Sequence, residues 1–301
     1  MLKANSGTFI QIHLTSKNID KINKFKSNCY DKNDEKSKMF HTIVESFETP
    51  NAHEVSKATL IIGASGSGKT RFLKALIINT SSVYAVFLDG IELMSKSEEE
   101  IIKCITRITE ELMSTHVPSM LVIDNIDYIA PNMEVQHYQG TEYHHRHHDH
   151  HNHRIASVLI SMIDRLNVLV VIVVSAKSID TINPSLRSSG RLPRVEDFNH
   201  INNEMSRFQI LKAYSSQMSL HQEVDNVFLR NIISKKTQGF VGADIAMLCR
   251  NATILSIEDK LQYGSMDTDN EQEVKVTTIH FQRALQGLHD DKCTTIRSMK
   301  K

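Results

Sequence analysis

The stretch that decides the fold is Ala58-Thr59-Leu60-Ile61-Ile62-Gly63-Ala64-Ser65-Gly66-Ser67-Gly68-Lys69-Thr70. A run of strand length enters a glycine-rich loop, and a helical pattern opens at Lys69. Residues 63–70 fit the spacing G-x-x-x-x-G-K-[ST] in the strand-loop-helix context that gives this motif its meaning. The glycines let the backbone curl, so that successive N–H groups point into one concavity suited to phosphate oxygens. The helix that starts near Lys69 adds its positive end. Lys69 is placed to reach the β- and γ-phosphates of a nucleotide, and the Thr70 hydroxyl to ligate Mg²⁺. Gly63, Ala64, Ser65, Gly66, Ser67, Gly68, Lys69, Thr70 and Arg71 are therefore the candidate nucleotide contacts. ATP and Mg²⁺ are the cofactors they imply.

Working outward, apolar runs of strand length alternate with helical patterns. Val83 to Leu88, Met120 to Ile123 and Leu169 to Val174 read as strands. Helices are predicted near Lys69–Ile78, Glu98–Met113 and Arg154–Leu166. This rhythm means a parallel sheet covered on both faces. Leu121-Val122-Ile123-Asp124 ends an apolar strand on a carboxylate, so Asp124 is the second metal candidate, holding Mg²⁺ through water. After about Asn199 the strand signals stop. Arg207–Met218, Val227–Lys235, Gly242–Leu261 and Thr277–Leu288 read as helices of a separate small domain.

The expected organisation has four parts. Residues 1–56 are polar and read as a largely flexible arm, with Ile10, Ile12 and Leu14 alternating as in a short strand. Residues 57–199 are the α/β core, 200–290 a helical lid and 291–301 a tail. A histidine-rich insert at 137–153 interrupts the core. If helical, it would put His144/His148 and His147/His151 four apart, as a Zn²⁺ pair requires. No Cys cluster closes a shell, so a tolerated low-complexity insert is the alternative.

Composition narrows the classes. The 301 residues hold 35 Lys and Arg against 35 Asp and Glu, which gives no global attraction to nucleic acid or to an anionic membrane. The longest apolar run, Val168 to Val174, is far short of the roughly 20 residues a membrane helix needs. Neither a nucleic acid partner nor membrane insertion is expected. The start shows no apolar signal core, and the cysteines at 29, 104, 249 and 293 lack the close pairs of a zinc site. Both features predict an intracellular chain, cytoplasmic or nuclear, with reduced thiols.

Three further stretches carry a resemblance. Leu121-Val122-Ile123-Asp124-Asn125-Ile126-Asp127-Tyr128-Ile129-Ala130-Pro131 follows the pattern of a second Walker motif. Ile182-Asn183-Pro184-Ser185-Leu186-Arg187-Ser188-Ser189-Gly190-Arg191-Leu192-Pro193-Arg194 is similar to I-D-P-A-L-R-x-x-G-R-F-D-R. Thr237-Gln238-Gly239-Phe240-Val241-Gly242-Ala243-Asp244 begins a T-x-G-F-x-G-A-D helix. In this order, with the phosphate loop, the chain from Lys57 to Leu288 resembles the AAA family of ATPases, in the branch that includes valosin-containing protein. The resemblance implies a P-loop fold, a five-stranded parallel sheet sandwiched by helices, followed by a small all-helical lid. It implies a ring, usually hexameric, with ATP at subunit edges. Arg191 and Arg194 are then the candidate arginine fingers acting in trans, and Gly242 and Ala243 lie beside the adenine.

Three departures bear on chemistry. Asn125 stands where the family has its catalytic glutamate, and an amide cannot accept a proton from water at neutral pH. Lys177 stands at the sensor-1 position, where the family has asparagine. It would either face the γ-phosphate or point to solvent. Gly90-Ile91-Glu92-Leu93-Met94-Ser95-Lys96 runs directly into Ser97-Glu98-Glu99, without the family's aromatic pore loop. Before the phosphate loop, His41-Thr42-Ile43-Val44 is the one weak match to the family's adenine-covering segment.

Three functions follow. The first is an ATP-binding subunit with slow or absent hydrolysis and a structural or regulatory role in a ring with other AAA subunits. The second is an active ATPase that remodels protein complexes or unfolds a protein substrate. The third is a histidine-rich metal- or partner-binding module on a decayed ATPase fold.

Overall fold

The computed structural model describes residues 2–5, 9–12, 58–80, 83–133, 145–166, 169–188, 190–199, 203–263 and 274–298. The chain divides into two compact units, residues 1–199 and 200–301.

The first unit is built on one sheet of seven strands in the order β1-β2-β4-β5-β6-β3-β7. The strands are β1 Leu2–Asn5, β2 Phe9–Ile12, β3 Ala58–Ile62, β4 Tyr84–Asp89, β5 Ser119–Asp124, β6 Val170–Ala176 and β7 Arg194–Asp197. The five strands from β4 to β7 are all parallel, the P-loop architecture that the AAA resemblance implies. Every residue of β5 and β6 is buried. That explains why both strands read as continuous apolar runs: each face of the sheet is covered.

Helices α1 Lys69–Asn79, α2 Glu98–Ser114 and α3 His145–Arg165 connect the strands. In α2 the Ser97 side chain accepts the Glu100 N–H, and the Glu100 carboxylate accepts the Ser97 N–H, which closes a capping box. Ile101, Ile105, Ile108 and Leu112 then fall on one stripe, and all four are buried. Truncating Ile105 to alanine would remove contacts worth about 2–5 kcal/mol.

Three expectations change at the edges. The arm expected at 1–56 lies mostly outside the described residues, as does His41–Val44. Two pieces of it form strands: Ile10 and Ile12 lie in β2, as their alternation suggests, and β2 pairs with β1 as a hairpin and adds to β4 antiparallel. Strand β7 gave no separate signal, because its sequence Arg-Val-Glu-Asp is too short and polar for a periodicity argument. Helix α3 starts nine residues before the predicted Arg154, so residues 145–153 of the histidine tract are helical backbone.

The second unit holds α4 Glu204–Ser215, α5 Gly242–Tyr263 and α6 Thr278–Ser298. The predicted helix at 227–235 is present as an unbroken helical run over residues 226–236, with a wider π segment at Leu229–Ile233. Helix α6 runs past the predicted end at Leu288 and continues through Ser298. Phe240, Leu248 and Phe281 centre the core of this unit. Asp259 of α5 accepts from Arg283 of α6 at 2.8 and 2.9 Å, which ties the two long helices together.

Candidate functional site

Parallel strands carry their C-terminal ends to one edge, so four pieces distant in sequence meet there. β3 ends in the phosphate loop, β4 in Asp89-Gly90, β5 in Asp124-Asn125 and β6 in Ala176-Lys177. Register fixes the alignment: Asp89 stands beside Asp124, and Ile62 beside Ala176.

In the loop, Gly66 and Gly68 have φ of 78° and 100°, conformations that side chains resist. The Gly63 N–H donates to the carbonyls of Ala176 and Lys177, both at 3.2 Å. A β-carbon on Gly63 would sit 2.9 Å from Phe198 Cβ, so the loop entrance tolerates only glycine. Asn199 Oδ1 accepts the Ala64 N–H at 2.8 Å. The end of β7 therefore holds the loop from the side opposite β6.

Lys69 is buried and donates to the carbonyls of Gly63 at 2.5 Å and Ala64 at 3.1 Å. Burial lowers its pKa below the usual lysine value, and the nearby charges of Asp124 and Asp127 oppose that shift. The two carboxylates thus offset part of the cost of burying the cation. Asp124 is fully buried, and its Oδ1 accepts a hydrogen bond from Ser175. Its Oδ2 has no hydrogen-bond partner, and neither do Ser67 Oγ and Asp127 Oδ1. A buried polar atom without a partner costs about 1–3 kcal/mol. Oxygens left open beside a buried lysine fit a hydrated divalent cation and a phosphate group. Thr70, the first residue after Lys69 in α1, and Asp124 are the side chains that would hold Mg²⁺.

Asn125 has φ 56° and ψ 51°, the one positive φ outside glycine among the described residues. Asparagine tolerates that region better than other chiral residues. Its N–H donates to Ser175 Oγ at 3.0 Å, and its amide Nδ2 lies 3.5 Å from Asp89 Oδ1. A β-carbon on Gly90 would lie 2.3 Å from the Asn125 carbonyl oxygen, so the glycine makes room for this turn. The Lys177 side chain is exposed, while its backbone N–H donates to Asp127 Oδ2 at 3.3 Å.

Two domain models match the chain: the ATPase family associated with various cellular activities (AAA) over residues 59–200, and the AAA+ lid domain over 227–272. The chain carries an AAA ATPase domain and an AAA lid domain. A Plasmodium falciparum (isolate 3D7) protein named as a cell division cycle ATPase is 30% identical over 218 residues. The match covers 71% of this chain and 16% of that relative, so the chain spans a small part of the relative's length.

Within the AAA domain the two candidate finger arginines are both engaged inside their own unit. Arg191 forms a two-pronged ion pair with Asp164 of α3, with both bonds at 2.7 Å, and donates to the Ser185 carbonyl at 2.8 Å. This pairing holds the Asp164 carboxyl below its usual pKa. Arg194 opens β7 and binds Glu196 two residues on, at 2.7 Å. In the AAA lid domain Gly242 and Ala243 are the first two residues of α5, and Asp244 caps that start by accepting the Val241 N–H at 2.8 Å. No aromatic loop leaves the segment after β4. Backbone bonds from Met94, Ser95 and Lys96 to Gly90, Glu92 and Leu93 close it into a turn that runs straight into α2.

Sequence reasoning missed Ser175 and Gly90. Ser175 carries a signal in retrospect, as the one hydroxyl in Val-Val-Ile-Val-Val-Ser-Ala. Gly90 carries none, because its need arises from a neighbouring strand. Among the described residues no cluster of three or more His, Cys, Asp or Glu is placed to hold a metal, and the side chains at 137–151 lie outside that description. No helix of the described residues is long and apolar enough to cross a membrane.

Proposed function

We propose that this chain binds Mg-ATP at the loop 63–70 and hydrolyses it slowly or not at all, serving as a structural or regulatory subunit of an oligomeric AAA ring. One observation carries the reading: an intact phosphate site is joined to Asn125 directly after Asp124. The loop amides and Lys69 would bind and orient the phosphates, and Thr70 and Asp124, the latter through water, would hold Mg²⁺. That ion supplies charge neutralisation at the β- and γ-phosphates. Asn125 can hold a water by hydrogen bonds, but it cannot take the water's proton.

In such a ring Arg191 and Arg194 would act on the nucleotide of the next subunit, and Gly242 and Ala243 would lie beside the adenine. Arg191 is held by Asp164 and the Ser185 carbonyl, so it would reach a neighbour by exchanging some of those bonds for phosphate contacts. The closed turn at 94–97 supports a role other than gripping a polypeptide. The valosin-containing-protein-like branch, a protein adaptor as partner and an intracellular location, cytoplasmic or nuclear, complete the proposal.

A second reading, an active ATPase, is favoured by Asp127. Its Oδ1 is a buried carboxylate oxygen without a partner, close enough to influence Lys69. It could take the proton that Asn125 cannot. The test is Mg-dependent ATP turnover by the purified chain, with an ATP-binding titration and Lys69→Ala as background. Binding without turnover supports the regulatory reading. Turnover that Asp127→Asn abolishes replaces it with the second.

A further inference from the structure

We infer that Ser175 is a positioning residue that orients Asp124 toward the metal and fixes the Asn125 turn with the same oxygen. The inference rests on the nucleotide-binding reading above. Ser175 is fully buried near the end of β6, in a strand otherwise apolar. A buried hydroxyl in such a strand is costly unless its hydrogen bonds are made. Here they are made to two successive residues of the neighbouring strand end. Ile123 stands beside Val174 in register, which places Ser175 next to Asp124. Its hydroxyl donates to Asp124 Oδ1, and its oxygen accepts the Asn125 N–H at 3.0 Å.

A serine hydroxyl has a single proton to give. Spending it on Oδ1 fixes the rotation of the carboxylate and leaves Oδ2 as the atom without a partner. The same oxygen pins the amide of the residue with positive φ, so the two strand-end residues are held as one piece. Outer-shell partners of this kind orient metal-binding carboxylates, and their loss typically costs about 10–100-fold in metal affinity.

The test compares Ser175→Thr with Ser175→Val in the full chain. The two side chains have nearly the same shape, so a packing role affects both alike, whereas only threonine keeps the hydroxyl. ATP affinity is measured once with Mg²⁺ and once with EDTA, and the ratio gives the coupling to the metal. The expected result is that threonine keeps the wild-type ratio and valine loses about tenfold of it, with EDTA affinities unchanged. Equal ratios in the two variants overturn the inference, as does a wild-type ratio of one. If neither variant folds, Ser175→Ala is compared with the wild-type ratio in the same way. No ATP binding by the wild type under either condition overturns the nucleotide-binding reading itself. Binding of ATP with no threonine–valine difference overturns the role of Ser175 alone.

Discussion

The ends of β3 and β5 lie on the same edge of one sheet, yet on the proposed reading they serve different parts of phosphoryl-transfer chemistry. At β3 every element needed to grip phosphate is in place. The loop has two glycines with positive φ, a helix starts directly after it, and the buried lysine that opens the helix donates back to the loop carbonyls. At β5 the carboxylate proposed to face the metal is buried, but the next residue is an amide in a left-handed turn. On the proposed reading, binding and bond cleavage are thus separable in this chain. Differential stabilisation of the transition state needs groups that act only there, and uniform binding does not supply them.

The largest predicted effect breaks the β3 side. Lys69→Ala removes a charge-assisted contact to phosphate, which is worth about 1.5–3 kcal/mol, or roughly 10–100-fold in ATP affinity. The same substitution removes a buried cation whose desolvation opposes folding. The nucleotide-free variant should therefore lose less stability than the contacts of Lys69 alone suggest, while the thermal shift at a fixed ATP concentration shrinks in step with the lost affinity. Isothermal titration and a melting curve test both halves. Undiminished affinity would remove the phosphate-loop assignment.

The next effect sharpens the β5 side. Asn125→Glu restores a proton acceptor and should raise turnover at least tenfold, about 1.4 kcal/mol of barrier. It also places a residue less tolerant of φ 56° in that turn, at a stability cost of about 1 kcal/mol. Asn125→Gly separates the two, relieving the backbone without adding a base. If glutamate leaves turnover flat while the variant stays folded, Asn125 alone does not explain slow chemistry, and Lys177 is the next position to change.

A smaller effect concerns the neighbour. Mixing Arg191→Ala chains with an active AAA partner should lower the partner's turnover if the arginine works in trans. The transition-state role of such arginines makes the drop exceed any change in ATP binding. Unchanged partner turnover would remove the finger role.

How far this comparison was visible in the sequence follows from where each signal resides. The β3 end is a local motif, since strand, loop and helix are contiguous and each glycine has a reason. The Asp124-Asn125 step is equally local. What surrounds it is not. Gly90 is required by the Asn125 carbonyl, Ser175 by the Asp124 carboxylate, and Asn199 by the Ala64 amide. Each pair is joined only by sheet register, which a single sequence does not display. Strand β7 was invisible for a related reason, since three polar residues and one exposed valine become a strand only because β3 offers an edge. The π segment at Leu229–Ile233 likewise widens a helix that the sequence does announce, with no Pro or Gly to mark the change.

The smallest effect tests whether Asp164 is part of the site or only of the surface. Its pKa is held down by the Arg191 guanidinium. A carboxylate whose folded pKa lies below its unfolded value adds stability above the unfolded pKa, about 3.9, and loses it as pH falls through the folded value. Urea midpoints of the wild type and Asp164→Asn should therefore differ slightly at pH 7 and converge below about pH 3.9. The pair is partly exposed, with Asp164 46% accessible, and so the difference at pH 7 is small. The informative outcome is the contrast between this small stability change and the trans assay. If Asp164→Asn lowers partner turnover as much as Arg191→Ala does, the ion pair is there to aim the arginine. If only Arg191→Ala does so, the arginine reaches the neighbouring nucleotide from other orientations, and Asp164 is a surface partner of the resting subunit.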